Sequence, residues 1–179
     1  MQKFFPFVVA ALLLVGCESN AIPKTELAYH SGDFPAQESW NAQVAFSDSG
    51  RVRAVLDAEH LAQYVKDGVP ERRIDSGFRV DFFDGDGRHT SVLTAKRAVI
   101  QENNDMEAFE NVVITSDDST VVRTEYIKWA AGEQKIRSDK FVTITKPAET
   151  LRGYGFESDQ ELKNYRIFNA SGEAKVQQQ

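Results

Sequence analysis

The chain has 179 residues and a single cysteine, Cys17. It therefore forms no intramolecular disulfide and no Cys-rich zinc site. Proline and glycine are scarce, 5 and 11 residues, which excludes fibrous and low-complexity classes. Basic residues number 21 against 27 acidic, a formal charge of −6. That balance argues against nucleic acid as a partner, because neutralising phosphates needs a surplus of Lys and Arg. No Gly-rich phosphate loop, His-Glu-x-x-His helix or Gly-x-Ser-x-Gly elbow occurs. His30, His60 and His89 are scattered without metal-ligand spacing. No cofactor, no metal and no enzymatic activity are expected. Hydrophobic residues make up 41% of the chain, too many for a disordered protein. The length suits one domain, able to bury roughly two-thirds of its unfolded surface.

The longest apolar run, Phe4 to Val15, follows one positive charge at Lys3. Its helical length of roughly 18 Å falls short of a hydrocarbon core of about 30 Å, so it reads as the apolar region of a signal peptide. Leu14-Val15-Gly16-Cys17 follows directly and resembles the bacterial lipobox. That resemblance implies a diacylglyceryl group on the Cys17 thiol, cleavage before Cys17 and acylation of the new amino group. Two or more acyl chains give a stable hold on a membrane. Glu18 after the cysteine favours retention in the inner membrane by analogy, with the outer membrane as the alternative.

The expected organisation is a signal peptide over 1–16, a tether over 17–40, a β-domain over 41–170 and a flexible tail over 171–179. Phe78-Arg79-Val80-Asp81-Phe82 alternates apolar and charged residues, the period of a half-buried strand. Asp84-Gly85-Asp86-Gly87 then turns, and the chain returns from His89 to Ala95, predicting a hairpin. Its acidic residues faintly resemble the start of a calcium loop, but Arg88 stands where such a loop needs an oxygen ligand. Further strands are expected at 51–56, 112–116, 120–124, 135–138, 141–145, 150–153 and 165–168. Ala58 to Lys66 fits either a helix or a strand.

A pattern of apolar, any, small, any, any, apolar recurs five times. It appears as Leu56-x-Ala58-x-x-Leu61, Leu93-x-Ala95-x-x-Ala98, Val122-x-Thr124-x-x-Ile127, Ile136-x-Ser138-x-x-Phe141 and Leu151-x-Gly153-x-x-Phe156. A spacing of five flips the face of a strand unless a bend re-aims the chain. Each unit thus reads as two short strands meeting at a corner, with a small residue where the chain folds. Stacked corners roll antiparallel hairpins into a bent, V-shaped sandwich. Its inner faces would form an apolar groove, and its terminal edges would keep unpaired backbone groups.

The ordered fragments are similar to the LptC family of the lipopolysaccharide export machinery. They are Ala54-Val55-Leu56-x-Ala58-Glu59-x-Leu61, Gly77-Phe78-x-Val80-x-Phe82-Phe83, Ser91-Val92-Leu93-x-Ala95, and Glu110-Asn111-Val112. They continue in Thr124-Glu125-x-Ile127-x-Trp129, Lys135-Ile136-x-Ser138-Asp139-x-Phe141-Val142 and Gly153-x-Gly155-Phe156-Glu157-Ser158. The resemblance implies an all-β fold: a V-shaped β-jellyroll of stacked antiparallel strands (OstA/LptA-like), open at both edges. It implies lipopolysaccharide as ligand and a place at the periplasmic face of the inner membrane. The periplasmic domains of the inner-membrane ABC transporter would meet the N-terminal edge, and an LptA-like periplasmic bridge protein the C-terminal edge. ATP hydrolysis in the cytoplasmic partner would supply the work of lipid release. Two departures stand out. Many members keep an uncleaved membrane helix where this chain has a lipobox, and Glu110-Asn111 stands where Gly-Asn is common.

Strand alternation and the repeat units nominate Phe78, Val80, Phe82, Leu93, Ala95, Val122, Ile127, Trp129, Ile136, Phe141 and Phe156 to line the groove. The competing assignment is ordinary core, since an apolar face records burial and not a ligand. Two alternatives to a lipid carrier are an adaptor lipoprotein that joins envelope components by edge pairing alone, and an enzyme acting on envelope glycans.

Overall fold

The computed structural model describes residues 34–66 and 68–174. Cys17, the apolar run before it and most of the expected tether lie outside the described residues. Twelve strands follow one another: β1 (Gln37–Asp48), β2 (Arg51–Lys66), β3 (Val69–Ile74), β4 (Phe78–Phe83), β5 (His89–Ala95) and β6 (Arg97–Ile100). Then come β7 (Met106–Ser116), β8 (Val121–Ala130), β9 (Lys135–Thr145), β10 (Glu149–Asp159), β11 (Tyr165–Ile167) and β12 (Ser171–Ala174). All belong to one antiparallel sheet, the β-jellyroll expected from the sequence. Among the described residues no helix is long and apolar enough to cross a membrane.

The sheet is folded on itself along a line of corners. Strand β2 pairs with β4 through Ala54–Ala58 and with β3 from Leu61 onward. Strand β7 pairs with β6 through Met106–Phe109 and with β5 from Val113 onward. The long strands thus pass from one half-sheet to the other. Register breaks fall between Thr124 and Lys128 in β8 and between Tyr154 and Phe156 in β10, where the repeat units place their small residues. Ala58, Ala95, Thr124, Ser138 and Gly153 are all buried there.

Breaking the ladder at a corner frees backbone groups, which must find other partners. Thr124 Oγ1 donates to the Phe141 carbonyl at 2.8 Å, and Ser138 Oγ accepts the Lys140 N–H at 3.1 Å. The Gly77 N–H donates to Lys96 O at 2.8 Å and the Lys96 N–H to Glu110 O at 3.1 Å. Left-handed backbone completes the corners, with φ of 52° at Asn41 in β1 and 84° at Gly155 in β10. Glu110 and Asn111 take 65° and 52° in β7. A glycine would adopt such an angle freely. Here Glu110 holds the angle and pairs its carboxylate with Arg97 at 2.8 Å.

Between the half-sheets lies one core, from Ala54, Leu56 and Phe82 on one side to Ile127, Ile136 and Phe156 on the other. The groove expected between the inner faces is filled by the faces themselves.

Several boundaries differ from expectation. Strand β1 begins at Gln37, four residues before the domain boundary read from sequence. Ala58 to Lys66 is strand throughout. Strand β3 carries Pro70 beside its first residue, a strand-end position that masks the pattern. Residues 171–174, placed in the tail, pair with β10. The hairpin turn forms as expected: Asp84 Oδ1 accepts the N–H groups of Asp86 and Arg88 at 2.9 and 3.0 Å. Arg88 itself pairs with the Asp84 and Asp86 carboxylates.

Candidate functional site

Opposite the corners, the free ends of the half-sheets meet at a seam. Arg53 donates from a terminal guanidinium nitrogen to Gln134 Oε1 at 3.2 Å. Ser91 Oγ donates to Gln160 O at 2.6 Å, and Gln160 Nε2 to Phe83 O at 3.4 Å. Leu162, in the turn between β10 and β11, is 2% exposed despite a φ of 58°. It is a lone apolar residue in the polar run 159–164, and that isolation is the one sequence signal of its role as a stopper.

A cleft of about 560 Å3 opens on this seam. Its floor is apolar: Val44, Phe46, Trp129 and Ala131. Its polar wall carries Arg53, Arg72, Gln134, Gln160 and Asn104, with Asp48 as the one carboxylate among the described residues. Trp129 joins the floor to the core, edge-on to Phe46 at 6.2 Å and to Phe82 at 5.3 Å. Arg53 reaches the cleft through a bulge. Phe46 pairs with Ala54 and Ser47 with Val52, leaving Arg53 as the extra residue. Without the bulge, alternation with buried Ala54 would turn Arg53 outward. Arg72 lies two residues from buried Ile74, on the core-facing side of β3. One arginine thus comes from each half-sheet. The alternation-based list of groove residues contains neither, because a bulge is a property of pairing and a charged residue does not read as inward.

Among the described residues each terminal edge has one neighbour: β1 pairs with β2, and β11 and β12 pair with β10. β11 and β12 act as one bent strand, broken at Asn169, whose φ is 46°. At the N-terminal edge Trp40 is 65% exposed and lies 5.1 Å from the His60 ring. A hydrogen bond donated to the Asp75 carboxylate holds His60 above the usual imidazole range, and Glu38 adds to it. At the C-terminal edge, a Cβ on Gly153 would lie 2.4 Å from Ile167 Cγ2, so the terminal strand seats only against glycine.

Ten of the eleven residues nominated for the groove lie in the packed interior: Phe78, Val80, Phe82, Leu93, Ala95, Val122, Ile127, Trp129, Ile136 and Phe156. Phe141 does not. It is 45% exposed on the outer face, paired with Tyr154 at 5.2 Å. The physical reason is the β9 corner, which takes one residue more than those of β8 and β10. The next inward residue after Ser138 is therefore Val142, which is fully buried.

The outer face has a larger cleft of about 730 Å3, around Phe109 and Tyr126. Four cations there face four carboxylates, and Arg97 and Arg137 are held by Glu110, Glu133 and Glu157. Burial, then Glu107, pushes the Tyr126 hydroxyl up to about 12. Its charges are already answered, so the seam is the better candidate.

The LptC family model, described as lipopolysaccharide-assembly, LptC-related, matches residues 7–171. No curated protein matches the chain.

Proposed function

Since the chain belongs to the LptC-related family of lipopolysaccharide assembly, we propose that it receives lipopolysaccharide from the inner-membrane ABC transporter and passes it to an LptA-like bridge protein. The periplasmic domains of the transporter pair with β1, and the bridge pairs with β11 and β12. The observation that carries this reading is that, among the described residues, the sheet ends in two edges with one neighbour each. An incoming strand at either end extends the ladder and gains main-chain hydrogen bonds.

Acyl chains enter at the seam and take up the interior next to Trp129, Phe82 and the other buried nominees. Each methylene removed from water is worth about 0.8 kcal/mol, enough for several chains to part the half-sheets. ATP hydrolysis in the transporter's cytoplasmic partner supplies the work of release. Cys17 carries the acyl anchor that tethers the domain to the inner membrane.

The packed interior favours one second reading, a non-lipid-binding adaptor that only joins neighbours by edge pairing. A photo-reactive amino acid at Phe46, on the seam, separates the two. Lipopolysaccharide adducts that depend on ATP and the transporter are expected. Adducts to protein neighbours from the edges, with none to lipid from Phe46, would leave the adaptor.

A further inference from the structure

We propose that the seam cleft is a site for the anionic head of a phosphorylated amphiphile, with the guanidinium groups of Arg53 and Arg72 on the phosphate and the hydrocarbon on Phe46 and Trp129. The inference deepens the transport reading and rests on it for the source of the amphiphile, while the chemistry comes from the cleft itself.

Three buried polar atoms around this cleft have no hydrogen-bond partner among the described residues: Arg53 Nε, Trp129 Nε1 and Gln160 Oε1. Trp129 is 4% and Gln160 3% exposed. Orphaned polar groups of this kind are rare in folded proteins, and three of them converge on one cleft. Two are N–H donors, one of them charged, which is the complement of an oxyanion. Arg72 adds a second guanidinium with no side-chain ion pair among the described residues. The opposing carboxylate, Asp48, sits on the exposed rim and accepts from Ser49 Oγ at 3.0 Å. The wall therefore carries two positive charges against one negative.

The floor decides between a free anion and an amphiphile. A phosphate alone would leave Val44, Phe46 and Ala131 uncovered, whereas a hydrocarbon tail covers them and points at the Trp129 ring. Because Arg53 belongs to one half-sheet and Arg72 to the other, a phosphate held by both bridges the seam.

The chain has two tryptophans, Trp40 and Trp129, so Trp40→Phe leaves Trp129 as sole reporter. The full chain carrying that change and 5-fluorotryptophan, held in neutral phosphatidylcholine nanodiscs, is titrated by fluorine NMR. The probes are dihexanoyl phosphatidic acid, inorganic phosphate and octyl glucoside. Phosphatidic acid is expected to shift the Trp129 resonance saturably, with at least about tenfold higher affinity than either other probe. Arg72→Gln and Arg53→Gln should each weaken it about tenfold and leave octyl glucoside unchanged. Arg72→Gln breaks no side-chain bond among the described residues, so it keeps the test open if Arg53→Gln fails to fold. Equal binding of octyl glucoside, or phosphatidic acid affinity indifferent to both substitutions, would overturn the anion site. Inorganic phosphate binding as tightly as phosphatidic acid would overturn the amphiphile. Any of these results leaves lipid carriage to be judged separately by the Phe46 adducts to lipopolysaccharide.

Discussion

Truncating Phe82 and Phe141 separately measures how tightly the half-sheets are pressed together. The two phenylalanines look alike in sequence, each preceded by a charged residue and followed by an apolar one. In the fold Phe82 is fully buried, edge-on to Trp129 at 5.3 Å, whereas Phe141 is 45% exposed beside Tyr154. Phe82→Ala removes a whole ring from the core and leaves a cavity, a loss of about 3–5 kcal/mol. Of that, roughly 0.5–1.5 kcal/mol is the aromatic pair. A domain of this size loses about 2–4 °C of Tm per kcal/mol, so the midpoint should fall by roughly 10 °C. Phe141→Ala leaves no cavity and should cost under about 1 kcal/mol, or less than about 3 °C. Thermal unfolding of the full chain followed by circular dichroism gives both numbers. Equal, small losses would refute the packed interior and restore an open trough lined by Phe82. The same contrast governs charge: Phe82→Glu should abolish folding, while Phe141→Glu should be tolerated.

Two further outcomes concern the edges. His60 is held above its usual range by Asp75, so its share of stability is full below about pH 6.5, the value of a free imidazole, and is lost as pH rises through the higher folded value. Asp75, held low chiefly by the same bond, loses its share only as the pH falls through its depressed value, in the acid range. Because His60 faces Trp40 of β1, intrinsic-rate-corrected amide exchange in β1 should be faster at about pH 8 than at about pH 6, and His60→Gln should abolish the difference. At the other end, Gly153→Val would drive a side chain into Ile167 and the Phe168 carbonyl, a strain of about 1–3 kcal/mol. Limited proteolysis should then cut β11 and β12 first, and cross-linking to a bridge protein at that edge should fail while cross-linking at β1 persists.

Five corners were legible because each leaves a local mark: a small residue with apolar residues two before and three after. Thr124 and Gly153 could be placed on the fold line from that spacing alone. Phe141 could not, since the extra residue in the β9 corner appears only when β9 is laid against its neighbours. Arg53 hides for the same reason, its inward aim coming from a mismatch between β1 and β2. Gln160 and Leu162 hide for another, because a turn that folds back over a seam obeys no period. Residues whose direction follows from their own strand were readable, and those directed by a partner strand were not.

The line of corners sets how the molecule can yield. β2, β7, β8, β9 and β10 each run through it without interruption, like leaves sewn into one spine. Spreading the covers of such a book flexes every leaf together, and no single page can be turned alone. A tug delivered by a neighbour at one cover is thus shared across the whole binding, and the opposite cover answers it.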